Sequence, residues 1–189
     1  MKRALITTVL LLAACASTPT PPPGLHDELI AMRDADQAIR KRALADRDNK
    51  ALTEEWKATD AKNLARVKEI FAKYGWPTLA MVGKDGVSAM WILSQHGDAE
   101  FLHRVLPSME KAVRKGELAG GLYATSFDRV RVQDKKKQLY GSQFDTNDGK
   151  CEPLPIEDPE HVDQRRKEIG LGPLSEYAEQ LCALYKGKK

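Results

Sequence analysis

Apolar residues recur every three or four positions through most of the chain beyond residue 24. This spacing places them on one face of an amphipathic α-helix. Residues near the segment ends support the same interpretation, because Thr53 and Asp98 can cap a helix N-terminus and Gly75 and Gly97 can end a helix. The pattern therefore predicts five successive helices, over residues 25–46, 53–73, 87–96, 98–115 and 122–129.

Residues that disfavour helical backbone punctuate these segments. Pro77 disfavours helical backbone at Trp76, so the second helix must end before it. The sequence Lys-Asp-Gly at residues 84–86 is typical of a turn before the third helix. Pro107 lies inside the fourth helix, where it removes one backbone hydrogen bond, and it predicts a kink there.

The periodicity changes from helical to alternating after the fifth helix. Residues 130–133 alternate, residues 134–137 are lysine-rich and can turn, and residues 138–144 alternate again. This arrangement predicts a β-hairpin. Residues 151–156 can add a short edge strand to it.

Two further helices are predicted to complete the chain. Asp158 can cap the first, with Pro159 at the first helical position, and Gly170 closes it. Pro173 opens the second, whose apolar residues are expected to face inward: Leu174, Tyr177, Leu181, Leu184 and Tyr185. Together the segments predict an α+β fold, a mostly helical single domain over residues 25–189 with one small antiparallel β-hairpin or sheet.

Residues 1–14 have the three parts of a bacterial lipoprotein signal peptide. Lys2 and Arg3 give a positive start, and the uncharged stretch over residues 4–12 is shorter than the roughly 20 residues of a spanning helix. The sequence Leu-Ala-Ala-Cys at residues 12–15 resembles the lipobox. The resemblance implies cleavage before Cys15, a diacylglyceryl group on its thiol and a further acyl chain such as palmitate on its amino group. Membrane lipid is thus the first expected partner.

Residues 15–24 are predicted to tether the domain to this anchor. Four of the nine residues from 16 to 24 are proline, which favours an extended polyproline II chain. Ala16 follows the acylated cysteine, where an Asp would suggest inner-membrane retention, so the sorting position favours the outer membrane. We therefore expect an outer-membrane lipoprotein whose domain faces the periplasm or the cell surface.

Composition narrows the class of protein further. About 165 residues remain after the leader and tether, enough for one domain with a real core. The formal net charge of +3 falls to about +1 without Lys2 and Arg3, which argues against a nucleic-acid partner. Once Cys15 is acylated, Cys151 and Cys182 remain as a pair in an oxidising compartment. A disulfide is the prediction, and two buried thiols are the alternative.

Known catalytic and cofactor motifs do not occur in the sequence. It has no GxGxxG or GxxxxGK[ST] motif to hold a phosphate, no HExxH and no GxSxG. The four histidines lack the spacing of metal ligands. We therefore expect no cofactor and no metal.

Polar residues occur where core positions are expected. Gln95 and His96 end an otherwise apolar helix, and Asp128 and Arg129 lie where the periodicity changes. The predicted hairpin adds a set of polar residues and one glycine that would let another group approach the backbone closely: Gln138, Tyr140, Gly141, Ser142 and Gln143.

At these residues the chain resembles a bacterial domain-of-unknown-function family, number 6624. The shared motifs occur in order as YGWPT at 74–78, QH at 95–96, DR at 128–129, QxYGSQ at 138–143, DxRR at 163–166 and GL at 170–171. The family usually has Thr where this chain has Ser142, and Ala where it has Gly97. The resemblance implies a shared fold over nearly the whole exported domain and supplies no reaction. Arg165 and Arg166 are expected to be solvated or locally paired on a helix surface.

Three interpretations of the polar set remain open. In the first, the residues form a buried hydrogen-bonded network that specifies packing. In the second, they line a cleft for a peptidoglycan fragment or an envelope protein, with these ligand-binding residues: Trp76, Gln95, His96, Gln138, Tyr140 and Gln143.

The third interpretation is an envelope hydrolase or transferase. His96 would act as general acid or base and Asp128 would orient it. Arg129 or Gln143 would stabilise developing negative charge, and Tyr140 or Ser142 would supply a hydroxyl. The first two interpretations make the domain a structural or binding module, and binding is the expected function.

Overall fold

The computed structural model describes residues 21–147 and 150–186. The predicted signal peptide, Cys15 and residues 16–20 of the tether lie outside this part of the chain. Within it, no helix combines the length and the apolar character that crossing a membrane requires.

The described chain is a mostly helical single α+β domain with one small antiparallel sheet, as the sequence predicted. Two-residue strands β1 and β2 pair Phe144 with Pro153 and Asp145 with Glu152. A 3₁₀ turn, Pro159–His161, precedes α6. The elements are α1 (Leu25–Ala45), α2 (Lys50–Tyr74), α3 (Leu79–Gln95), α4 (Ala99–Arg114), α5 (Gly120–Gln133), β1 (Phe144–Asp145), β2 (Glu152–Pro153), α6 (Val162–Glu168) and α7 (Leu174–Lys186).

The hydrophobic core lies between the first five helices. Helix α1 packs on both α2 and α3, and α4 packs on α5. The apolar faces predicted from the helical periodicity supply most of the core, including these fully buried side chains: Leu29, Val67, Ile70, Met90, Leu93, Phe101, Val105 and Met109. Burying each such side chain contributes about 1.5–3 kcal/mol to folding.

Side chains cap the N-termini of α2 and α4. Asp98 caps α4 as predicted, because its carboxylate accepts a hydrogen bond from the Phe101 amide at 2.7 Å. The prediction that Thr53 caps α2 is wrong. Asn49 is the cap, since its side-chain oxygen accepts from the Leu52 amide at 3.2 Å, and α2 begins at Lys50.

Helix α3 begins earlier than predicted. The expected turn at residues 84–86 is wrong, because the break in helical backbone lies at Gly83, which has a φ of 67°. Gly86 is buried within the helix, where an added Cβ would lie 2.7 Å from the Val82 Cβ. Helix α4 continues through Pro107 as one element.

The predicted β-hairpin is the main error of the sequence analysis. Residues 130–133 are helical and form the last turn of α5, with the Asp134 amide donating to the Val130 carbonyl at 2.9 Å. Residues 138–143 form a loop, which we call the anchored loop. A four-residue alternation of apolar and polar residues also fits one helical turn, and here the helix continued. The small sheet forms instead between β1 and β2, which lies within the predicted edge strand.

Fewer apolar side chains of the C-terminal helix α7 are buried than predicted. Leu174, Tyr177 and Leu181 are half-buried, but the prediction that Leu184 and Tyr185 face inward is wrong, because they are 66% and 46% exposed. A disulfide joins Cys182 on α7 to Cys151 beside β2, with Cα atoms 5.7 Å apart. The disulfide and the half-buried stripe together hold α7 to the domain.

Candidate functional site

Asp128 fixes the anchored loop. Its carboxylate is fully buried and accepts hydrogen bonds from three backbone amides of that loop, those of Leu139, Tyr140 and Ser142, at 2.7, 3.1 and 2.9 Å. A carboxylate that accepts hydrogen bonds from several backbone N–H groups stabilises an irregular turn, because it supplies the acceptors that a neighbouring strand would otherwise supply. The catalytic interpretation expected Asp128 to orient His96. The carboxylate instead binds the anchored loop, so that expectation is wrong.

Gln138 and Gln143 hold the same loop from within. The Gln138 amide group donates to the carbonyls of Gln143 and Leu154, at 2.9 and 2.6 Å, and its oxygen accepts from the Gln143 amide at 2.8 Å. The Gln143 side chain donates to the Thr125 carbonyl at 3.2 Å. At these two glutamines the structure has the buried network of the first interpretation.

Arg166 closes the loop from outside, and the prediction that it is solvated is wrong. It is 3% exposed, and its guanidinium donates to the carbonyls of Tyr140 and Gly172, both at 2.7 Å. Arg165 donates to the Leu139 carbonyl at 3.0 Å. Carbonyls that point outward from a tight loop need donors, which the helix α6 arginines supply.

Gln95 and His96 have separate surroundings. The Gln95 amide group donates to the Ser126 hydroxyl at 2.6 Å, inside the interface between α3 and α5. The His96 ring points instead toward α1, where its Nδ1 lies 2.9 Å from the Asp36 carboxylate. Asp36 was not predicted as the partner of His96, although it lies one helical turn before Arg40 on α1 and can pair with it.

Asp36 is fully buried and linked to a chain of charges. Arg40 donates to it at 3.2 Å and to Asp60 on α2 at 2.6 Å. Burial alone would raise the pKa of Asp36, but the hydrogen bond and charge of His96 and the charge of Arg40 outweigh it, and that pKa lies below its usual value. Burial raises the pKa of Asp60. Asp36 is therefore ionised at neutral pH.

Tyr140 lies at a cleft of about 640 Å³ between the end of α4, the start of α5 and the end of α6. Tyr123 lies beside it, with ring centroids 6.0 Å apart in an edge-on arrangement. Of the predicted site residues, Tyr140 is the one that lines this cleft, whose walls are Glu110, Val113, Arg114, Leu118, Gly120, Tyr123, Tyr140, Glu168, Ile169 and Gly170.

The cleft combines neutral hydroxyls with charges of both signs. Burial raises the pKa of Tyr123 and of Tyr140 above the ordinary tyrosine value, so both hydroxyls stay protonated at physiological pH. Arg114 pairs with Glu110 on the exposed face of α4, and Glu168 stands on the α6 side. Such a lining offers two aromatic edges, two hydroxyls and ionic partners for either charge.

Close backbone packing shapes one wall of the cleft. An added Cβ on Gly120 would lie 1.8 Å from the Ile169 carbonyl oxygen, so only glycine lets the start of α5 meet the end of α6 there. Gly120 and Tyr123 were not predicted as site residues. No motif marked them, because the cleft forms from residues far apart in sequence.

Trp76 borders a second, smaller cavity of about 150 Å³ that also contacts α4. Its indole is buried in the core, and its Nε1 has no hydrogen-bond partner in the described residues. Trp76 and Tyr140 therefore do not meet in one cleft. In the same described part of the chain, no group of three or more His, Cys, Asp or Glu side chains could hold a metal ion.

Comparison with known proteins gives a family and no activity. Residues 23–189 match a family model described as a family of unknown function, DUF6624. The match covers most of the chain and includes every motif from YGWPT onward. The chain belongs to DUF6624. No curated protein and no solved structure matches it. Any activity of this DUF6624 domain must therefore be argued from its own geometry.

Proposed function

We propose that this DUF6624 protein is an outer-membrane lipoprotein whose domain binds a polar ligand of the cell envelope in the Tyr123–Tyr140 cleft. The observation that carries the proposal is the cleft itself. Its volume of about 640 Å³ falls in the range of small-molecule sites, about 300–1,000 Å³. Its lining mixes apolar walls with a few convergent polar groups, as such sites do.

The chemistry of the lining favours a fragment that carries sugar rings and charged peptide groups. The half-buried ring of Tyr140 gives apolar aromatic surface for a sugar ring, and the protonated hydroxyls of Tyr123 and Tyr140 can donate to or accept from sugar hydroxyls. Arg114 can pair with a carboxylate, and Glu168 can pair with an amine. A peptidoglycan fragment carries all of these groups.

The N-terminal sequence supports an envelope location for such binding. Acylation at Cys15 with two or more chains gives a stable membrane anchor. The nine residues that follow would hold the domain roughly 28 Å from the lipid when extended. At that distance the domain can reach the soluble contents of the periplasm and the nearby cell wall.

Binding is tested with the full chain purified in detergent and a soluble disaccharide-peptide from peptidoglycan. We expect saturable binding by isothermal titration calorimetry. Tyr140→Phe removes one hydroxyl and should weaken binding about 2- to 10-fold, the effect of one neutral hydrogen bond. Tyr185→Phe removes a hydroxyl on exposed α7, away from the cleft, and serves as the matched control. Absence of binding, or equal effects of the two variants, would contradict the proposal.

Anchoring is tested separately by growing cells with labelled palmitate. We expect label on the wild-type protein and a mature chain that begins at Cys15. Cys15→Ser should abolish the label and leave the leader attached. A wild-type chain without label would refute the lipoprotein part of the proposal and leave the cleft to be judged by its own experiment.

A further inference from the structure

The Tyr123–Tyr140 cleft has more negative than positive charge on its walls. Three charged side chains line it, those of Glu110, Arg114 and Glu168. Glu110 and Arg114 pair with each other across one turn of α4, so their charges largely cancel. Glu168 is exposed and forms no ion pair or side-chain hydrogen bond with any residue that the structure describes. The charge that a ligand meets in the cleft is therefore set by Glu168.

The position of Glu168 in the fold adds to this negative character. It is the last residue of α6, and the carbonyl groups at a helix C-terminus carry partial negative charge. Of the basic residues in the last turn of α6, Arg165 and Arg166 donate to loop carbonyls, and Lys167 does not line the cleft. A cationic group beside Glu168 is thus favoured by the carboxylate and by the helix end together.

The charge of Glu168 is felt at the tyrosine side of the cleft. Burial is the main cause of the raised pKa of Tyr140, and the charges of Asp128, Glu110 and Glu168 raise that pKa further. The Tyr140 hydroxyl is therefore protonated, and its oxygen keeps lone pairs that can accept a hydrogen bond. A ligand N–H group can meet the carboxylate and a hydroxyl oxygen in the same cleft.

A primary ammonium group matches these acceptors. Its pKa is about 10.4 in a lysine-like side chain, so it carries a full positive charge at neutral pH. It has three N–H donors and no acceptor. Glu168 supplies the opposite charge, and the hydroxyls of Tyr123 and Tyr140 supply further acceptors.

We propose that the cleft recognises the free side-chain amine of a peptide ligand and that Glu168 selects it. This inference rests on the proposed function and specifies the ligand more closely. In a peptidoglycan peptide, cross-linking turns that amine into an amide, which has no charge and only one N–H donor. The cleft therefore prefers peptides that are not cross-linked.

The ligand side is tested by isothermal titration calorimetry, with the full chain in detergent and two soluble disaccharide-peptides. One has a free side-chain amine, and in the other that amine is acetylated, which removes its charge. We expect the acetylated ligand to bind about 3- to 5-fold more weakly, the effect of one exposed ion pair. A dimethylated ligand keeps the charge and controls for added bulk, so it should bind more tightly than the acetylated one.

The protein side is tested with Glu168→Gln. This variant should bind the free-amine ligand about 3- to 5-fold more weakly and bind the acetylated ligand as wild type does, because both changes remove the same interaction. Glu179→Gln is the matched control. Glu179 is also an exposed helical glutamate, but it does not line the cleft. Its variant should leave both affinities unchanged.

The outcomes separate amine selection from binding itself. If wild type binds both ligands with equal affinity, or if Glu168→Gln weakens both equally, selection by Glu168 is refuted and binding in the cleft stands. An equal loss of affinity in Glu179→Gln would reveal a general charge effect and would also overturn the inference. If wild type binds neither ligand, the proposed function fails and amine selection fails with it.

Discussion

The carboxylate of Asp128 on α5 lies 2.9 Å from the backbone amide of Ser142 and accepts its hydrogen. The same carboxylate accepts from Leu139 and Tyr140, so one side chain organises the anchored loop. The loop places Tyr140 at the cleft. The buried carboxylate supplies acceptors for loop amides that strand pairing would satisfy in a sheet.

Removing that charge should destabilise the domain strongly. Asp128→Asn presents an amide N–H₂ to backbone donors and leaves buried N–H groups without an acceptor. We expect the free energy of unfolding to fall by about 2–4 kcal/mol. Denaturant titration monitored by circular dichroism measures the change. Glu179→Gln on the exposed face of α7 is the control: it also removes one negative charge, but from a solvent-exposed side chain. It should change the free energy of unfolding by less than about 0.5 kcal/mol.

Gly141→Ala should be more costly than an ordinary glycine substitution. Gly141 has a φ of 70°, and an added Cβ would lie 2.7 Å from Leu174 on α7. Gly116 has a φ of 71° with open space around it, so Gly116→Ala reports the backbone cost alone, about 1 kcal/mol. We expect Gly141→Ala to cost about 1–3 kcal/mol more in thermal or chemical unfolding. If both variants lose the same free energy of unfolding, the Leu174 side chain on α7 moves aside without cost.

The disulfide should stabilise the C-terminal part of the domain. Cys151 and Cys182 are separated by 31 positions in sequence. On the chain-entropy account, closing such a loop adds about 3.5 kcal/mol to the free energy of unfolding. The double variant Cys151→Ser and Cys182→Ser should lose about that amount in denaturant titration. Adding reductant to the double variant should change nothing, whereas reductant should lower the stability of wild type.

His26 should make the stability depend on pH. Its ring contacts Asp27 at 2.7 Å and Asp85 at 3.1 Å, and these hydrogen bonds raise the pKa of His26 above 6.5. A raised pKa means that the folded state favours protonated His26. Its stabilising contribution is therefore complete below about pH 6.5 and is lost as the pH rises through the raised value.

Asp85→Asn tests the contribution of His26. We expect this variant to lower the pKa of His26 measured by NMR, and its stability difference from wild type should be largest near pH 5.5 and shrink by pH 8. Asp34→Asn, which removes an exposed carboxylate paired with Arg33, should leave the His26 titration unchanged. A stability difference that grows with pH would contradict the assignment.

Sequence periodicity predicted the helices well because each buries one apolar face against another. The face of α4 with Phe101, Val105 and Met109 is fully buried, as its spacing required. The same reasoning failed at residues 130–133, where a four-residue alternation is too short to distinguish a strand from a helical turn. Leu184 and Tyr185 fit a helical stripe but have no element to pack against.

The candidate site was only partly predictable. The sequence identified His96, Asp128, Gln138 and Tyr140 as unusual polar positions, and the structure gives each a hydrogen-bond or ring contact. The pairings could not be predicted, because a carboxylate partner can come from any helix. Asp36 lies sixty positions from His96, and only the packing of α1 on α3 brings them together.

The start of α1 has a mechanical consequence. The helix begins at Leu25, directly after the proline-rich segment, and both Leu25 and Leu29 are buried between neighbouring helices. If the chain is anchored by lipid at Cys15, a pulling force on the domain would be transmitted to the first turn of α1. Because the side chains there are packed in the core, the force would act on buried contacts and not on a loosely held terminus. An unfolding force that drops sharply in Leu29→Ala would show that this first turn bears the strain.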